Sequence, residues 1–332
     1  MNKSKEILLT FDYELFFGPE SGTIERCILE PTEKLLHLFK KNNIEGVFFV
    51  DVLFYNRLLE SSETVSDAMK IRSQLQSIIS QGSRIELHLH PHWLDAIYSR
   101  GKWAFPHYEN YRLHSLSESK IINLFKAGKN TLEEIAREVD PMYRVTAFRA
   151  GGFCIQPVGK LMKAFVENNI FIDSSVAPGL YEQNSSRKYD FLSAPDRVGY
   201  RFSVDQNSPD IDGYLLELPI ATYKINFLAK CFAKLNKIFI KQNSEISGDG
   251  IGLAIKRKWW KRYLTETRMI TLDGYIPPNV LIRQIQKSKR KVVTIIAHPK
   301  SLTSSSFECI EYLAGNGFKF ISLEKLTKLF LM

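Results

Sequence analysis

Residues 82–92, Gly82-Ser83-Arg84-Ile85-Glu86-Leu87-His88-Leu89-His90-Pro91-His92, hold a short apolar strand whose far end is loaded with histidine. Gly82 closes an amphipathic helical segment predicted at 66–81. Pro91 lacks a ladder donor, so the strand is expected to stop near His90. Beyond it, Ser117 is placed to cap a second amphipathic helix, 117–139. The same alternation continues outward in both directions. Strands are predicted at 7–11 and 46–50, with a helix at 31–42 between them that Pro31 opens. Toward the C-terminus come a strand at 143–148, a helix at 157–168, strands at 170–172 and 215–218, and a helix at 278–288. A strand at 292–297, a helix at 304–316, a strand at 318–321 and a last helix from Leu323 complete the chain. Strand–helix alternation argues for an α/β fold with parallel strands. With about seven such units the expected architecture is a distorted (β/α) barrel, with function at the C-terminal ends of the strands. The chain reads as one domain, 1–332, with insertions at 93–116 and 223–275.

The 332 residues are 44% hydrophobic, enough for a large core, and carry a net charge of +9, which favours anionic partners. No stretch reaches the roughly 18–20 apolar residues of a membrane span. The N-terminal sequence has no apolar core or cleavage site of a secretory signal, so the expected location is cytoplasmic. Cys27, Cys154, Cys231 and Cys309 form no CxxC pair and read as reduced thiols.

Four segments carry chemistry, each where a strand should end. In Thr10-Phe11-Asp12-Tyr13-Glu14, Asp12 and Glu14 fall on one face if the strand persists, and neighbouring carboxylates share a cation or split their pKa values. In Glu86-Leu87-His88-Leu89-His90-Pro91-His92, three of the seven histidines fall within five residues. A turn at Pro91 would bring His88 and His92 together. Two imidazoles and a carboxylate suit a hydrolytic divalent metal ion such as Zn²⁺, with Co, Ni, Mn or Fe as other candidates. In Phe148-Arg149-Ala150-Gly151-Gly152-Phe153, Arg149 is suited to hold a carboxylate, and Gly151 and Gly152 allow close approach of a ligand. The segment is not a dinucleotide-binding GxGxxG. In Thr294-Ile295-Ile296-Ala297-His298-Pro299, a strand delivers a histidine suited to proton donation.

Together these segments resemble, in order and over residues 10–299, the motifs of the polysaccharide deacetylase family, also called the NodB-homology or carbohydrate esterase family. TFDYE is similar to its first motif, usually TFDDG. HLHPH is similar to its metal-binding HxxxH motif, FRAGG to its third motif and IIAHP to its last. The resemblance implies a distorted (β/α) barrel and removal of an acetyl group from an N-acetylated sugar. It implies Asp12 as general base, Arg149 as its holder, Glu14, His88 and His92 as metal ligands and His298 as the acid that protonates the amine. Tyr13 separates the two acids, as in D-x-E variants, so either of Asp12 and Glu14 could touch the ion. His90, Asp173 and Glu217 are additional candidates, Asp173 as a partner for His298. Gly151, Gly152 and Trp93, which opens the first insertion, are candidates for substrate contact.

The expected substrate is an N-acetylated sugar of cell-surface polysaccharide or lipopolysaccharide synthesis, nucleotide-activated or lipid-linked. Residues 224–264 interleave basic and aromatic side chains, which suggests either a helical lid or peripheral membrane contact. No nucleic-acid-binding motif accompanies them. The competing expectations are a catalytically silent carbohydrate-binding protein on the same fold and a metal-dependent hydrolase of another amide.

Overall fold

A computed structural model describes residues 5–107, 110–184, 186–225, 245–253, 266–274 and 277–331. The main sheet consists of β1 (Glu6–Tyr13), β2 (Gly46–Asp51), β3 (Arg84–Leu89), β4 (Ala147–Ala150), β5 (Ile172–Asp173), β6 (Tyr200–Phe202), β7 (Leu215–Glu217), β8 (Val292–Ala297) and β9 (Lys319–Phe320). The helices are α1 (Glu30–Asn42), α2 (Val52–Leu59), α3 (Val65–Ser80), α4 (Glu118–Arg137), α5 (Met162–Glu167), α6 (Pro278–Lys287), α7 (Ser304–Gly315) and α8 (Leu323–Leu331). In space the strands run β6-β7-β5-β4-β3-β2-β1-β8. Seven consecutive ones, β7 to β8, are parallel, and β6 is antiparallel to β7 at the edge.

The central strands are almost wholly apolar because both their faces are covered. β1 is buried from Ile7 onward, and β2 and β8 are buried throughout. β9 pairs with Glu6 and Ile7 of β1, whereas β2 begins pairing at Leu9, so one edge of β1 serves two strands in succession. On the far side the sheet does not close by a ladder. Single backbone bonds span the gap: Ala221 N–H donates to Thr294 O at 2.9 Å and Ile270 N–H to Ala221 O at 2.7 Å. This is the expected distorted barrel of parallel strands.

Local signals explain most boundaries. Pro31 sits in the first turn of α1, and Asn43 ends that helix in the left-handed region at φ 51°. Ser117 Oγ accepts from Lys120 N–H at the start of α4. Thr303 and Ser306 form a reciprocal cap on α7.

Three expectations are corrected. The strand predicted at 143–148 begins only at Ala147, because side chains take over the backbone groups before it. Tyr143 Oη bonds both N–H and C=O of Ile85 at 2.8 Å, and the buried Glu86 carboxylate accepts from the N–H groups of Thr146 and Ala147 at 2.9 and 2.8 Å. The helix predicted at 157–168 is a 3-10 turn at Val158–Lys160 followed by the short α5; Gly159 is a poor helix former. α2 is additional: it follows β2 without a loop, so the apolar run through Phe54 hides the change of period.

The first insertion folds back as a hairpin, Ile97–Ser99 with Lys102–Ala104. It is pinned by Trp103, whose ring meets Trp93 edge-on at 5.1 Å. Within the second, Thr222–Ile225 pairs antiparallel with Glu266–Met269. Most of the basic and aromatic stretch, 226–244 and 254–265, lies outside the described residues. No helix among the described residues is long and apolar enough to cross a membrane. Cys27, Cys154 and Cys309 are buried free thiols, and Cys231 lies outside the described residues.

Candidate active site

Because the seven strands are parallel, their C-terminal ends open on one rim. Asp12 lies near the end of β1, Asp51 ends β2, His88 is the penultimate residue of β3 and Arg149 that of β4. Asp173 ends β5, Glu217 ends β7, and His298 follows β8 directly. The register sets Asp51 opposite His88 and His88 opposite Arg149.

Arg149 is completely buried and lies with its guanidinium 4.2 Å over the Phe49 ring. Its Nη1 donates to Asp12 Oδ1 at 2.6 Å, its Nε to Ser174 O at 2.7 Å and its Nη2 to Thr10 Oγ1 and Ser174 Oγ at 3.0 and 2.9 Å. Asp12 is buried too. Burial alone would raise its pKa, but Arg149, His88 and His298 outweigh that and hold it below the usual carboxylate value. Arg149 occupies Oδ1, so Oδ2 is the oxygen left to work. It faces His298 Nε2 at 3.6 Å.

His298 is steered from its other side. Asp273 Oδ2 lies 2.7 Å from its Nδ1 and Asp273 Oδ1 accepts its backbone N–H, also at 2.7 Å. Burial opposes a charged ring, but the Asp273 carboxylate more than offsets it, and the pKa of His298 is raised. Asp173, the expected partner, does not serve here. Its Oδ1 accepts from Ser175 Oγ at 2.6 Å, and Glu217 lies opposite it in the register. Glu217 Oε1 also accepts from Val176 N–H at 3.1 Å. Burial and the neighbouring Asp173 carboxyl raise the pKa of Glu217 well above normal.

Glu14 gathers the histidines. Its Oε2 lies 3.2 Å from His88 Nε2 and 2.6 Å from His90 Nε2. One donor atom from each of Glu14, His88 and His90 falls within 4.8 Å of the others, the arrangement a metal ion needs. The tautomer fits as well. His88 Nδ1 lies 2.7 Å from the carbonyl of Arg149, which can only accept, so Nδ1 carries a proton and Nε2 is the ring atom turned to Glu14.

Among the described residues the converging donor atoms belong to Glu14, His88 and His90 rather than to the expected His88–His92 pair: Pro91 opens a 3-10 turn, and the His92 ring lies 5.1 Å from that of His90. His92 stacks on Tyr111 at 5.7 Å and 4° and lies against Phe17 at 4.1 Å and Phe105 at 5.0 Å. Burial among these rings depresses its pKa well below normal.

The glycines and Trp93 make room and hold position. A Cβ on Gly151 would lie 2.7 Å from His90 Nδ1, and one on Gly152, at φ 58°, would lie 2.4 Å from Tyr111. Trp93 is buried against Phe54, Trp103 and Phe105, with the His92 ring 5.4 Å away.

Three charged groups of the site escaped the sequence reading. Asp273 sits in an insertion with no pattern around it. Lys300 puts Nζ 2.8 Å from Glu14 Oε1. Asp51 ends an apolar strand as Asp12 nearly does, a signal that was available. Its Oδ1 accepts weakly from His90 N–H at 3.4 Å, and burial pushes its pKa up to about 6.

Comparison with solved structures agrees with this architecture. The chain superposes over its whole length on 90% of a Mycobacterium smegmatis protein named as a candidate polysaccharide deacetylase, with TM-score 0.52 and 15% identity. The two chains share a fold. A 4-alpha-glucanotransferase from Thermococcus litoralis gives the same TM-score, 0.52, at 11% identity, with 98% of this chain covering 40% of that one. The fold therefore leaves the reaction open, and the side chains must choose it. No family model matches the sequence. No curated protein matches it either.

Proposed function

We propose that this chain is a metal-dependent hydrolase that removes the acetyl group from an N-acetylated sugar. The observation that carries the reading is the set of opposed groups on one rim: Asp12 clamped by Arg149, His298 clamped by Asp273, and Glu14, His88 and His90 converging beside them. Hydrolysis of an amide needs a base, an acid and stabilisation of a developing oxyanion.

Glu14, His88 and His90 would hold a divalent ion, and two imidazoles with a carboxylate favour Zn²⁺. When bound, the ion supplies Lewis-acid polarisation of the acetyl carbonyl. Asp12 Oδ2 takes the proton of the attacking water, and Arg149 keeps Oδ1 out of that exchange. His298 Nε2 then gives a proton to the departing amine, with Asp273 stabilising the imidazolium. Arg149 and Ser174 are second in line: they orient Asp12 without touching substrate.

The substrate reading is an extension. Arg187 lies 5.7 Å over the Tyr111 ring, and Tyr111 lies 5.0 Å from His90. A guanidinium this close to the rim favours a substrate with an acidic group, consistent with a nucleotide- or lipid-linked sugar. The location proposed for such chemistry is the cytoplasm or the inner face of the membrane.

The test is metal content and acetate release together. About one ion per chain, lost in His88→Ala and His90→Ala, with acetate released from N-acetylated sugars, is the expected result. Bound metal without acetate from any sugar would favour hydrolysis of another amide or a silent sugar-binding role. No metal after loading with Zn²⁺ or Co²⁺ would remove the reading.

A further inference from the structure

Lys300 enters the centre from the turn Pro299–Ser301. Its side chain is only 8% exposed, and Nζ lies 2.8 Å from Glu14 Oε1 and 2.7 Å from Leu15 O. Phe16 covers the ammonium, with its ring centre 5.1 Å away. Gly248 N–H donates to Lys300 O at 2.8 Å, and its Cα packs so tightly that an added Cβ would lie 3.0 Å from Lys300 Cβ. A buried ammonium is costly unless paired, so this lysine is held to Glu14.

The two oxygens of Glu14 are thereby divided. Oε1 is held by Lys300, with His298 Nε2 3.7 Å away, and Oε2 faces His88 and His90. Left free, a carboxylate can offer a metal ion both oxygens. An ammonium on one of them blocks that mode and sets a positive charge beside the ion.

We propose that Lys300 is a positioning residue that keeps Glu14 a one-oxygen ligand and lowers the affinity of the centre for its ion. The inference rests on reading Glu14, His88 and His90 as a metal centre. Its consequence for the reaction is that a coordination position stays open for water and substrate, which a second Glu14 oxygen would otherwise fill.

The experiment is titration of metal-free protein with Co²⁺, read by calorimetry and by the visible Co²⁺ spectrum. Lys300→Met keeps the length of the stem and removes the charge. With a positive charge removed from beside the ion, it is expected to bind Co²⁺ about tenfold more tightly than the wild type, with weaker visible absorption as the coordination number rises. Lys300→Arg, which keeps the charge and a donor, is expected to stay close to wild type. Should Lys300→Met fail to fold, Lys300→Gln replaces it, with tightening in the same direction. Equal or weaker binding in the uncharged variant, with an unchanged spectrum, would overturn the proposal while leaving the metal centre intact. Absence of Co²⁺ binding in the wild type would instead remove the metal centre, and this inference with it.

Discussion

Asp273 grips His298 at two points, accepting its backbone N–H with one oxygen and facing Nδ1 with the other, each at 2.7 Å. Burial drives the ring toward its neutral form, and the carboxylate reverses this, so the ring stays protonated to higher pH than a free histidine. That is the state a proton donor needs. In Asp273→Asn the support is lost, the pKa of His298 falls, and the high-pH limb of the kcat profile moves to lower pH. Activity at neutral pH should fall about 10–100-fold. A limb that stays in place would remove His298 as the acid.

Arg149 and Asp12 form a fully buried ion pair. Removing one partner of such a pair typically costs about 3–5 kcal/mol, because the other charge is left stranded. Arg149→Met should lose stability on that scale in denaturant titrations. The pKa of Asp12, now lowered, should rise. A depressed carboxylate contributes stability above its unfolded pKa that disappears as pH falls through the folded one. The variant should therefore lose stability mainly above the acid range, and its stability should change less on acidification than that of the wild type.

Gly151 is where the third motif meets the histidine cluster. A methyl group there would stand 2.7 Å from both His90 Nδ1 and Leu89 O. The strand carbonyl cannot move, so the imidazole must. Gly151→Ala is expected to weaken Zn²⁺ binding about 10–100-fold in chelator competition. Gly159→Ala, with nothing within 4 Å of the added carbon, is the control that should bind as wild type. Equal affinities in the two variants would dissociate His90 from the metal site.

Most of the framework was readable because strand ends punctuate the sequence with acids and histidines. The positions of Asp12, Glu14, His88, Arg149 and His298 at one end follow from parallel strands alone. What periodicity could not give was which way the chain turns after Pro91, and so which histidine meets Glu14. Asp273 and Lys300 were hidden for a different reason. Asp273 comes from an insertion and Lys300 from a turn past the strand, and each has meaning only beside its partner in space. Trp93, a candidate for substrate contact, is packed edge-on against Trp103 of the hairpin at 97–104.

Glu217 and Asp173 predict a stability signature of their own. The pKa of Glu217 is raised by burial and by Asp173, so the folded protein prefers it protonated. Stability from such a group is full below the unfolded pKa and is lost as pH rises through the folded value. Wild-type melting temperature should therefore decline across that range. Glu217→Gln, which cannot ionise, should flatten the decline. Parallel slopes for the two proteins would show that the pKa of Glu217 is not raised in the folded protein.

The pairing of β1 with β8 links residues 6–11 to 292–297. During synthesis, β1 must therefore wait for almost the whole chain to emerge before its neighbour exists. Until then one edge of a strand buried from Ile7 onward in the folded protein has no partner, the kind of surface that recruits other chains. The nascent protein already holds Asp12, Glu14, His88 and His90, but neither His298 nor Lys300. Chemistry and protection from aggregation thus arrive together, with β8 and the turn that follows it.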